Sequence, residues 1–162
     1  VTFIVRNPDG AGADADAVGT VVGVDTDAAR QALADAHIVV CATGASEALF
    51  ETGDVRDDVL VIALGSHLPE AREVPAKLMG RATVVVEDEG AALREAGDVI
   101  RAIADGALKE SDLTSMTSLL AGDAESIADG WAERGPAVVK TVGMGWQDLA
   151  VARAIALRGD EV

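Results

Sequence analysis

The sequence predicts an α/β domain built on a parallel sheet. Short apolar runs rich in Val and Ile alternate with alanine-rich or amphipathic stretches, which is the pattern of βαβ units. The longest such run, residues 59–64, is unbroken and indicates a central strand covered on both faces. It ends at Gly65, Ser66 and His67, and Pro69 prevents further ladder pairing. Ligands of open α/β sheets bind beyond the carboxyl ends of strands, so these three residues are the first candidates for a site.

The remaining strands and turns follow from short β-branched runs and from turn-forming residues. Asn7-Pro8-Asp9-Gly10 ends the first strand, and residues 11–19 have too little periodicity to choose between a weak helix and a loop. Gly135-Pro136 breaks the chain before the last strand. Strands are predicted at residues 1–6, 20–24, 37–42, 59–64, 83–86 and 137–142, with the run at 37–42 expected to be buried.

Helices are predicted where apolar residues recur at helical spacing or where a capping residue precedes the run. These helices span residues 27–36, 46–50, 75–79, 89–96, 99–104, 147–157 and a turn reaching residue 120. The predicted caps are Asp25 or Thr26, Asp88 or Glu89, Asp98, and Ser111 or Asp112. We expect one domain over residues 1–158 and a short tail over residues 159–162.

Composition limits the classes of partner. The 162 residues carry a net charge of −15, which argues against a nucleic-acid partner because phosphates are neutralised by basic surfaces. No stretch approaches the roughly 20 apolar residues of a membrane span, and no secretory signal is visible, so no membrane partner is expected. A single cysteine, Cys41, fits a reducing, cytoplasmic compartment, in a high-GC or a salt-loving organism. With only Cys41, His37 and His67 as soft ligands, no metal site is expected.

Arg6 and Asn7 follow the first strand, at a position that decides between two cofactors. In a doubly wound nucleotide-binding sheet the end of the second strand meets the adenosine ribose. An acid there accepts from the 2′-hydroxyl, whereas an Arg accommodates a 2′-phosphate. No acid occurs before Asp9, so the pattern favours NADP, with NAD possible. The alternative is an exposed Arg at a strand end.

Three further residues are candidates for binding or chemistry. Thr43, in Cys41-Ala42-Thr43-Gly44, offers a hydroxyl among small residues that let a ligand approach the backbone, while Cys41 itself is expected to be a buried, inert thiol. His67 is the candidate catalytic residue, as a general acid/base or a donor to a ligand carbonyl; alternatively it satisfies a loop carbonyl. Lys140 lies inside an apolar segment, where it needs a phosphate or carboxylate partner, unless it snorkels to the surface.

One expected element is absent from the sequence. No G-x-G-x-x-G follows a strand, and Gly143 with Gly145 come late and lack the third glycine. A dinucleotide site needs such a turn to bring pyrophosphate to a helix N-terminus. We therefore expect a Rossmann-like, doubly wound parallel sheet that lacks its first strand and glycine loop, which would lie upstream of Val1.

Three segments, ALGSHLPEAREV, VVVEDEGAALREAGDVI and VVKTVGMGWQDLAVARAI, resemble the ornithine cyclodeaminase/μ-crystallin family, and the similarity runs from about Val1 to Arg158. Members are dimeric NAD(P)-dependent enzymes that transfer hydride at the nitrogen-bearing carbon of amino acids, cyclic imines or related oxo acids. The resemblance implies that Arg6 and Asn7 hold the adenosine end of the cofactor. It places Cys41, Ala42 and Thr43 near the ribose on the nicotinamide side. The nicotinamide itself should be bordered by Ala63, Leu64, Gly65, Thr141, Val142 and Gly143.

The resemblance also limits what this chain does alone. The family's substrate-gripping half would precede Val1, so this part alone is expected to be inactive, and the full-length protein is expected to be a homodimer. His67 stands where ornithine-deaminating members have an Asp, two residues after the strand-end glycine. This departure favours imine reduction or amino-acid dehydrogenation. The alternatives are a true ornithine cyclodeaminase with bound NAD, and a non-catalytic μ-crystallin-like NADP-binding protein.

Overall fold

The strands of the protein pair in parallel and form two sheets. The computed structural model describes residues 1–122 and 135–159. A two-stranded sheet joins β1 to β2, and a five-stranded sheet has the order β3-β4-β7-β5-β6. The predicted α/β class with parallel pairing is therefore confirmed, although the described strands form two sheets and not one continuous layer. The strands are β1 (Thr2–Val5), β2 (Thr20–Gly23), β3 (Ile38–Cys41), β4 (Leu60–Ala63), β5 (Thr83–Val86), β6 (Leu113–Ser115) and β7 (Ala137–Lys140).

Helices connect the strands, as the alternation of patterns predicts. Thr26 caps α2 by accepting from the Ala29 N–H at 3.1 Å, and Asp88 caps α4 by accepting from the Ala91 N–H at 2.7 Å. Among the described residues, no helix combines the length and the apolarity needed to cross a bilayer. The helices are α1 (Ala13–Val18), α2 (Asp27–Asp35), α3 (Ala76–Met79), α4 (Glu89–Glu95), α5 (Gly97–Ala104), α6 (Met116–Ala121) and α7 (Gly145–Gly159), with 3₁₀ turns at Pro8–Gly10, Thr52–Asp54 and Glu110–Asp112.

The hydrophobic core lies around β4, which has β3 on one side and β7 on the other. Its central position confirms the prediction from the unbroken apolar run at residues 59–64. Each fully buried Val, Leu or Met stabilises the fold by about 1.5–3 kcal/mol relative to an exposed one. Fully buried members of the core include Val59, Val61, Ala63, Val74, Leu78, Met79, Val84, Val86, Val99, Ala102 and Val138.

Two elements are less buried than their sequences predict. Ile38 and Val40 of β3 are 60% and 57% exposed, because β3 is the edge of its sheet and one of its faces is left open by the described part of the chain. The predicted burial of the strand at residues 37–42 is therefore wrong for the face that carries Ile38 and Val40, whereas Cys41 is buried as predicted. The helix predicted at residues 147–157 forms, yet its apolar residues, among them Leu149 and Ile155, are exposed.

Three local predictions are wrong for identifiable reasons. Residues 46–50 form no helix, because Leu49 N donates to Glu73 O and Arg72 N donates to Ser46 O, which ties this segment to the chain at residues 72–73. Residues 111–120 do not form one capped helix: β6 (Leu113–Ser115) pairs with β5, and α6 begins after it with Ser115 as its cap. The third concerns Asp98, which does not cap α5 and belongs to the site described next.

Candidate functional site

The carboxyl ends of β3 and β4 are held together by one buried carboxylate, that of Glu73. Its Oε1 accepts hydrogen bonds from Thr43 N at 2.7 Å and from Thr43 Oγ1 at 2.8 Å. Its Oε2 accepts from Gly65 N at 2.7 Å and from Ser66 N at 3.3 Å. The predicted site residues Thr43, Gly65 and Ser66 therefore share one partner at one edge of the sheet.

Gly65 is required at this position by close packing. A Cβ added to it would lie 2.0 Å from Thr43 O and 2.6 Å from Glu73 Oε1. Real Cβ atoms do not approach backbone oxygens this closely, so any other residue would push the turns after β3 and β4 apart. The absence of a side chain at Gly65, two residues after β4, thus lets the turns after β3 and β4 pack against each other.

A buried ion pair lies beneath these turns. Lys140, at the end of β7, is fully buried, and its Nζ lies 3.2 Å from Asp98 Oδ2 and 3.4 Å from Ala63 O. The other oxygen of Asp98 accepts from Glu73 N at 2.7 Å and from Val74 N at 2.8 Å. The carboxylate of Asp98 therefore accepts hydrogen bonds from the loop before α3, which explains why it does not cap α5.

This pairing decides between the two expectations for Lys140, because the buried side chain has a carboxylate partner. The surface alternative is wrong, because the side chain has no exposed area. Its anionic partner is an internal carboxylate, so the ammonium group is not available to a substrate or another anion as the structure places it. The physical reason is the surrounding core, where a lone cation is costly and a paired one is retained.

A second carboxylate, that of Glu87 after β5, holds the turn that follows β7. Its Oε2 accepts from Val142 N and Gly143 N, each at 3.0 Å, and its Oε1 accepts from Gln147 Nε2 at 2.6 Å. Gly143 has φ +80°, in the left-handed region that favours glycine. Thr141 N donates to Ala63 O at 3.1 Å. The predicted residues at 141–143 therefore lie beside the end of β4.

Cys41 is 2% exposed and belongs to the core. Burial raises the pKa of its thiol to about 12, and the nearby charges of Glu73 and Asp98 add to the effect. A thiol with this pKa is protonated at neutral pH, as expected for an inert buried cysteine. Its side chain points away from solvent, so a ligand at this strand end would meet Ala42 and Thr43, which are exposed.

His67 is exposed beyond the end of β4, and its Nδ1 lies 3.2 Å from Gly65 O. A carbonyl oxygen only accepts, so Nδ1 carries the proton of this bond and Nε2 is the ring atom left for another partner. The loop-carbonyl alternative is thus satisfied without blocking the ring. Ser66 differs, because it is buried and its hydroxyl donates to Ala71 O at 2.8 Å. Only its backbone N–H takes part in the contact with Glu73.

Arg6 and Asn7 are exposed and directly follow β1, which belongs to the two-stranded sheet. Asn7 O accepts from Gly10 N at 3.2 Å, which forms the predicted turn. These residues therefore lie at the carboxyl end of their own sheet. Over the described ranges, no three His, Cys, Asp or Glu side chains converge as a metal site.

Sequence reasoning missed the two carboxylates that hold the strand ends. Glu73 directly precedes the buried residues Val74 and Pro75, and Glu87 directly follows the three buried residues of β5. An acid next to a buried segment is the signal that could have identified both. Their partners are backbone N–H groups from distant segments, which a local pattern does not show.

Comparison with known proteins places these features in a family context. The sequence model of the ornithine cyclodeaminase/mu-crystallin family matches residues 7–160. The chain is 33% identical over 135 residues to a Delta(1)-pyrroline-2-carboxylate reductase of Bacillus cereus, a match that covers 82% of this chain and 40% of that protein.

Solved structures show the same fold. A probable ornithine cyclodeaminase from Bordetella pertussis Tohama I superposes with a TM-score of 0.76 at 30% identity, over 98% of this chain and 52% of that one. The Delta(1)-pyrroline-2-carboxylate reductase of Thermococcus litoralis, in complex with NADH and L-proline, gives a TM-score of 0.68 at 22% identity, over 88% and 44%. The chain thus spans about half or less of the length of these relatives.

Proposed function

Because the chain belongs to the ornithine cyclodeaminase/mu-crystallin family, we propose that it is the cofactor-binding part of an NAD(P)-dependent imine reductase. The observation that carries this proposal is the cluster of strand ends at Thr43, Gly65 and Thr141, which the carboxylate of Glu73 and the hydrogen bond from Thr141 N to Ala63 O hold beside one another. The reductase name of the Bacillus cereus relative supports the choice of reaction. Reduction of a cyclic imine or dehydrogenation of an amino acid is the specific activity we propose.

The residues of this edge fit a flat ring lying against backbone. A Cβ at Gly143 would meet no atom of the described residues within 4 Å, and the side chain of Leu64 is exposed, so this edge has an open surface with an apolar border. The nicotinamide, when bound, supplies or accepts hydride at the carbon of the carbon–nitrogen bond. Leu64 would exclude water from that surface, and Ala63, Thr141 and Val142 would border it.

Reduction of an imine also requires a proton at nitrogen. His67 is our proposed source: Gly65 O accepts from Nδ1–H and orients the ring, and in the doubly protonated ring Nε2 also carries a proton, which it would deliver to the imine nitrogen. The same residue argues against ornithine cyclodeamination, since an imidazole replaces the carboxylate that steers the amine in the ornithine-deaminating members.

We further propose that the cofactor is NADP. Arg6 is exposed at the carboxyl end of β1, where a guanidinium accommodates a 2′-phosphate and a carboxylate would repel it. Asn7 would share the adenosine end. The relatives leave this choice open, because the Thermococcus litoralis structure contains NADH.

The edges of β1 and β3 that are free in the described part of the chain leave room for the strand that would carry the phosphate loop. Among the described strands, β1 pairs only with β2 and β3 pairs only with β4, so each has a free edge. A doubly wound sheet puts its first strand between the strands that correspond to β1 and β3. We propose that a strand upstream of Val1 lies there, with the following helix covering Ile38 and Val40. We also propose that substrate-binding groups lie outside this chain, and that the full-length protein is a cytoplasmic homodimer.

The test is a hydride-transfer assay on the full-length protein. Delta(1)-pyrroline-2-carboxylate is supplied with NADPH or with NADH, and loss of reduced-nicotinamide absorbance is followed together with proline formation. We expect turnover with a preference for NADPH, and no proline from ornithine with catalytic NAD. Proline from ornithine would instead identify a cyclodeaminase. No absorbance change with any cyclic imine or amino acid, despite nucleotide binding, would identify a binding protein.

A further inference from the structure

We propose that Glu73 is a positioning residue that sets the spacing of the two strand ends on which the nucleotide lies. This inference rests on the proposed function, because the strand ends matter only if a nucleotide occupies them. Glu73 lies outside every helix and strand, in the loop between β4 and α3, and its side chain is fully buried. Its contacts are nevertheless with the turns at the surface.

The hydrogen bonds of Glu73 join two segments that are distant in sequence. One oxygen binds the turn after β3 through Thr43, and the other binds the turn after β4 through Gly65 and Ser66. No backbone hydrogen bond of the β3–β4 ladder extends past Leu64 N to Cys41 O in the described structure. Beyond that point, over the residues that the structure describes, the two strand ends are connected by hydrogen bonds to the Glu73 carboxylate and not by direct backbone pairing.

The position of Glu73 is itself fixed by backbone hydrogen bonds to Asp98 of α5. Its backbone N–H and that of Val74 donate to Asp98 Oδ1, and Asp98 Oδ2 pairs with the ammonium group of Lys140. Lys140 ends β7 and lies in register with Ala63 of β4. The chain of contacts therefore runs from the sheet, through α5, to the loop that carries Glu73. A side chain anchored in this way can hold two turns at a fixed distance.

The geometry requires a carboxylate of this length. Four donors face the two oxygens of Glu73, and a carboxylate accepts at both. An amide accepts at one atom only, so Glu73→Gln would place an NH₂ group against N–H donors of one turn and release that turn. Glu73→Asp keeps the charge but is one methylene shorter, so it cannot reach both turns.

The experiment measures nucleotide binding and catalysis by full-length Glu73→Gln and Glu73→Asp, at temperatures where each variant is folded. Glu70→Gln is the matched control, because Glu70 lies on the same loop, is exposed, and contacts Arg101 only through its backbone carbonyl. We expect the KM and Kd for the nucleotide to rise about tenfold or more in both Glu73 variants. The KM for the imine should stay within about twofold, and Glu70→Gln should match the wild type.

Amide hydrogen exchange gives a readout that does not depend on the reaction. In Glu73→Gln we expect faster exchange at Thr43 N or Gly65 N, with unchanged exchange in β5 and α5. Nucleotide affinity that stays at the wild-type value in folded Glu73→Gln would overturn the proposal. If the wild type binds no nicotinamide nucleotide, the proposed function fails. Local loss of protection would then still support the fixing of the turns, and a uniform loss across the chain would refute it.

Discussion

The buried pair of Lys140 and Asp98 makes a strong prediction about stability. In Lys140→Met the side chain keeps its approximate length but loses its charge, which leaves the carboxylate of Asp98 buried without a cation. Breaking such a pair by removing one partner costs about 3–5 kcal/mol. A typical domain has about 5–15 kcal/mol of unfolding free energy, so this single change should remove a large part of it.

A second substitution separates the pair from the packing around it. Asp98→Asn retains a carbonyl oxygen that can accept from Glu73 N and Val74 N, and it removes the uncompensated charge. We therefore expect Lys140→Met/Asp98→Asn to recover about 2 kcal/mol of the loss, because replacing both charges of a buried pair is far less costly than removing one.

The assay is urea unfolding of the full-length protein, with the four members of the double-mutant cycle compared at one pH. Lys77→Met is the control, since Lys77 is an exposed lysine of α3 and its replacement should change stability by no more than about 0.5 kcal/mol. A loss below about 1 kcal/mol for Lys140→Met, or a double variant no more stable than the single one, would refute the reasoning. A role toward an external anion would instead lower ligand affinity and leave stability intact.

Three further outcomes are expected. Gly65→Ala should destabilise the protein by about 1–3 kcal/mol in thermal or urea unfolding and weaken nucleotide binding, because its Cβ would overlap Thr43 O; wild-type behaviour would contradict the packing. Above pH 9 the thiol of Cys41 ionises in the unfolded state but not in the folded state, where its pKa is about 12. The free energy of unfolding of the wild type should therefore fall by about 1.4 kcal/mol per pH unit relative to that of Cys41→Ala. Parallel plots of unfolding free energy against pH for the two proteins would contradict this. Arg6→Gln should raise the Kd for NADPH about tenfold and leave that for NADH unchanged, as measured by fluorescence titration, and equal effects on both nucleotides would exclude a contact with the 2′-phosphate.

Much of the fold is readable from sequence because strand and helix patterns are local. The run at residues 59–64 identifies β4 as a central strand, since six consecutive apolar residues need cover on both faces. The caps at Thr26 and Asp88 are equally local, because each binds an N–H three residues away. Thr43 and Gly65 could be selected as site residues simply because they follow strands.

The predictions from sequence are wrong where hydrogen bonds to residues distant in the chain determine the local structure. Asp98 has the sequence context of a cap, but the N–H groups of Glu73 and Val74 compete for its carboxylate. Residues 46–50 have helical composition, but backbone bonds to residues 72–73 replace the helical ones. The exposure of β3 likewise depends on neighbouring elements, which the composition of the strand itself does not specify.

The hydrogen bonds by which Glu73 holds the turns after β3 and β4 leave the exposed side chains of those turns free to vary. Three of its four donors are main-chain N–H groups, which every residue except proline supplies. Side chains at Ala42, Leu64 and His67 project from the same turns without taking part in that support. A library that randomises Ala42 and Leu64, and keeps the proposed proton donor His67, would therefore change the exposed surface of these turns while the hydrogen bonds beneath it stay the same.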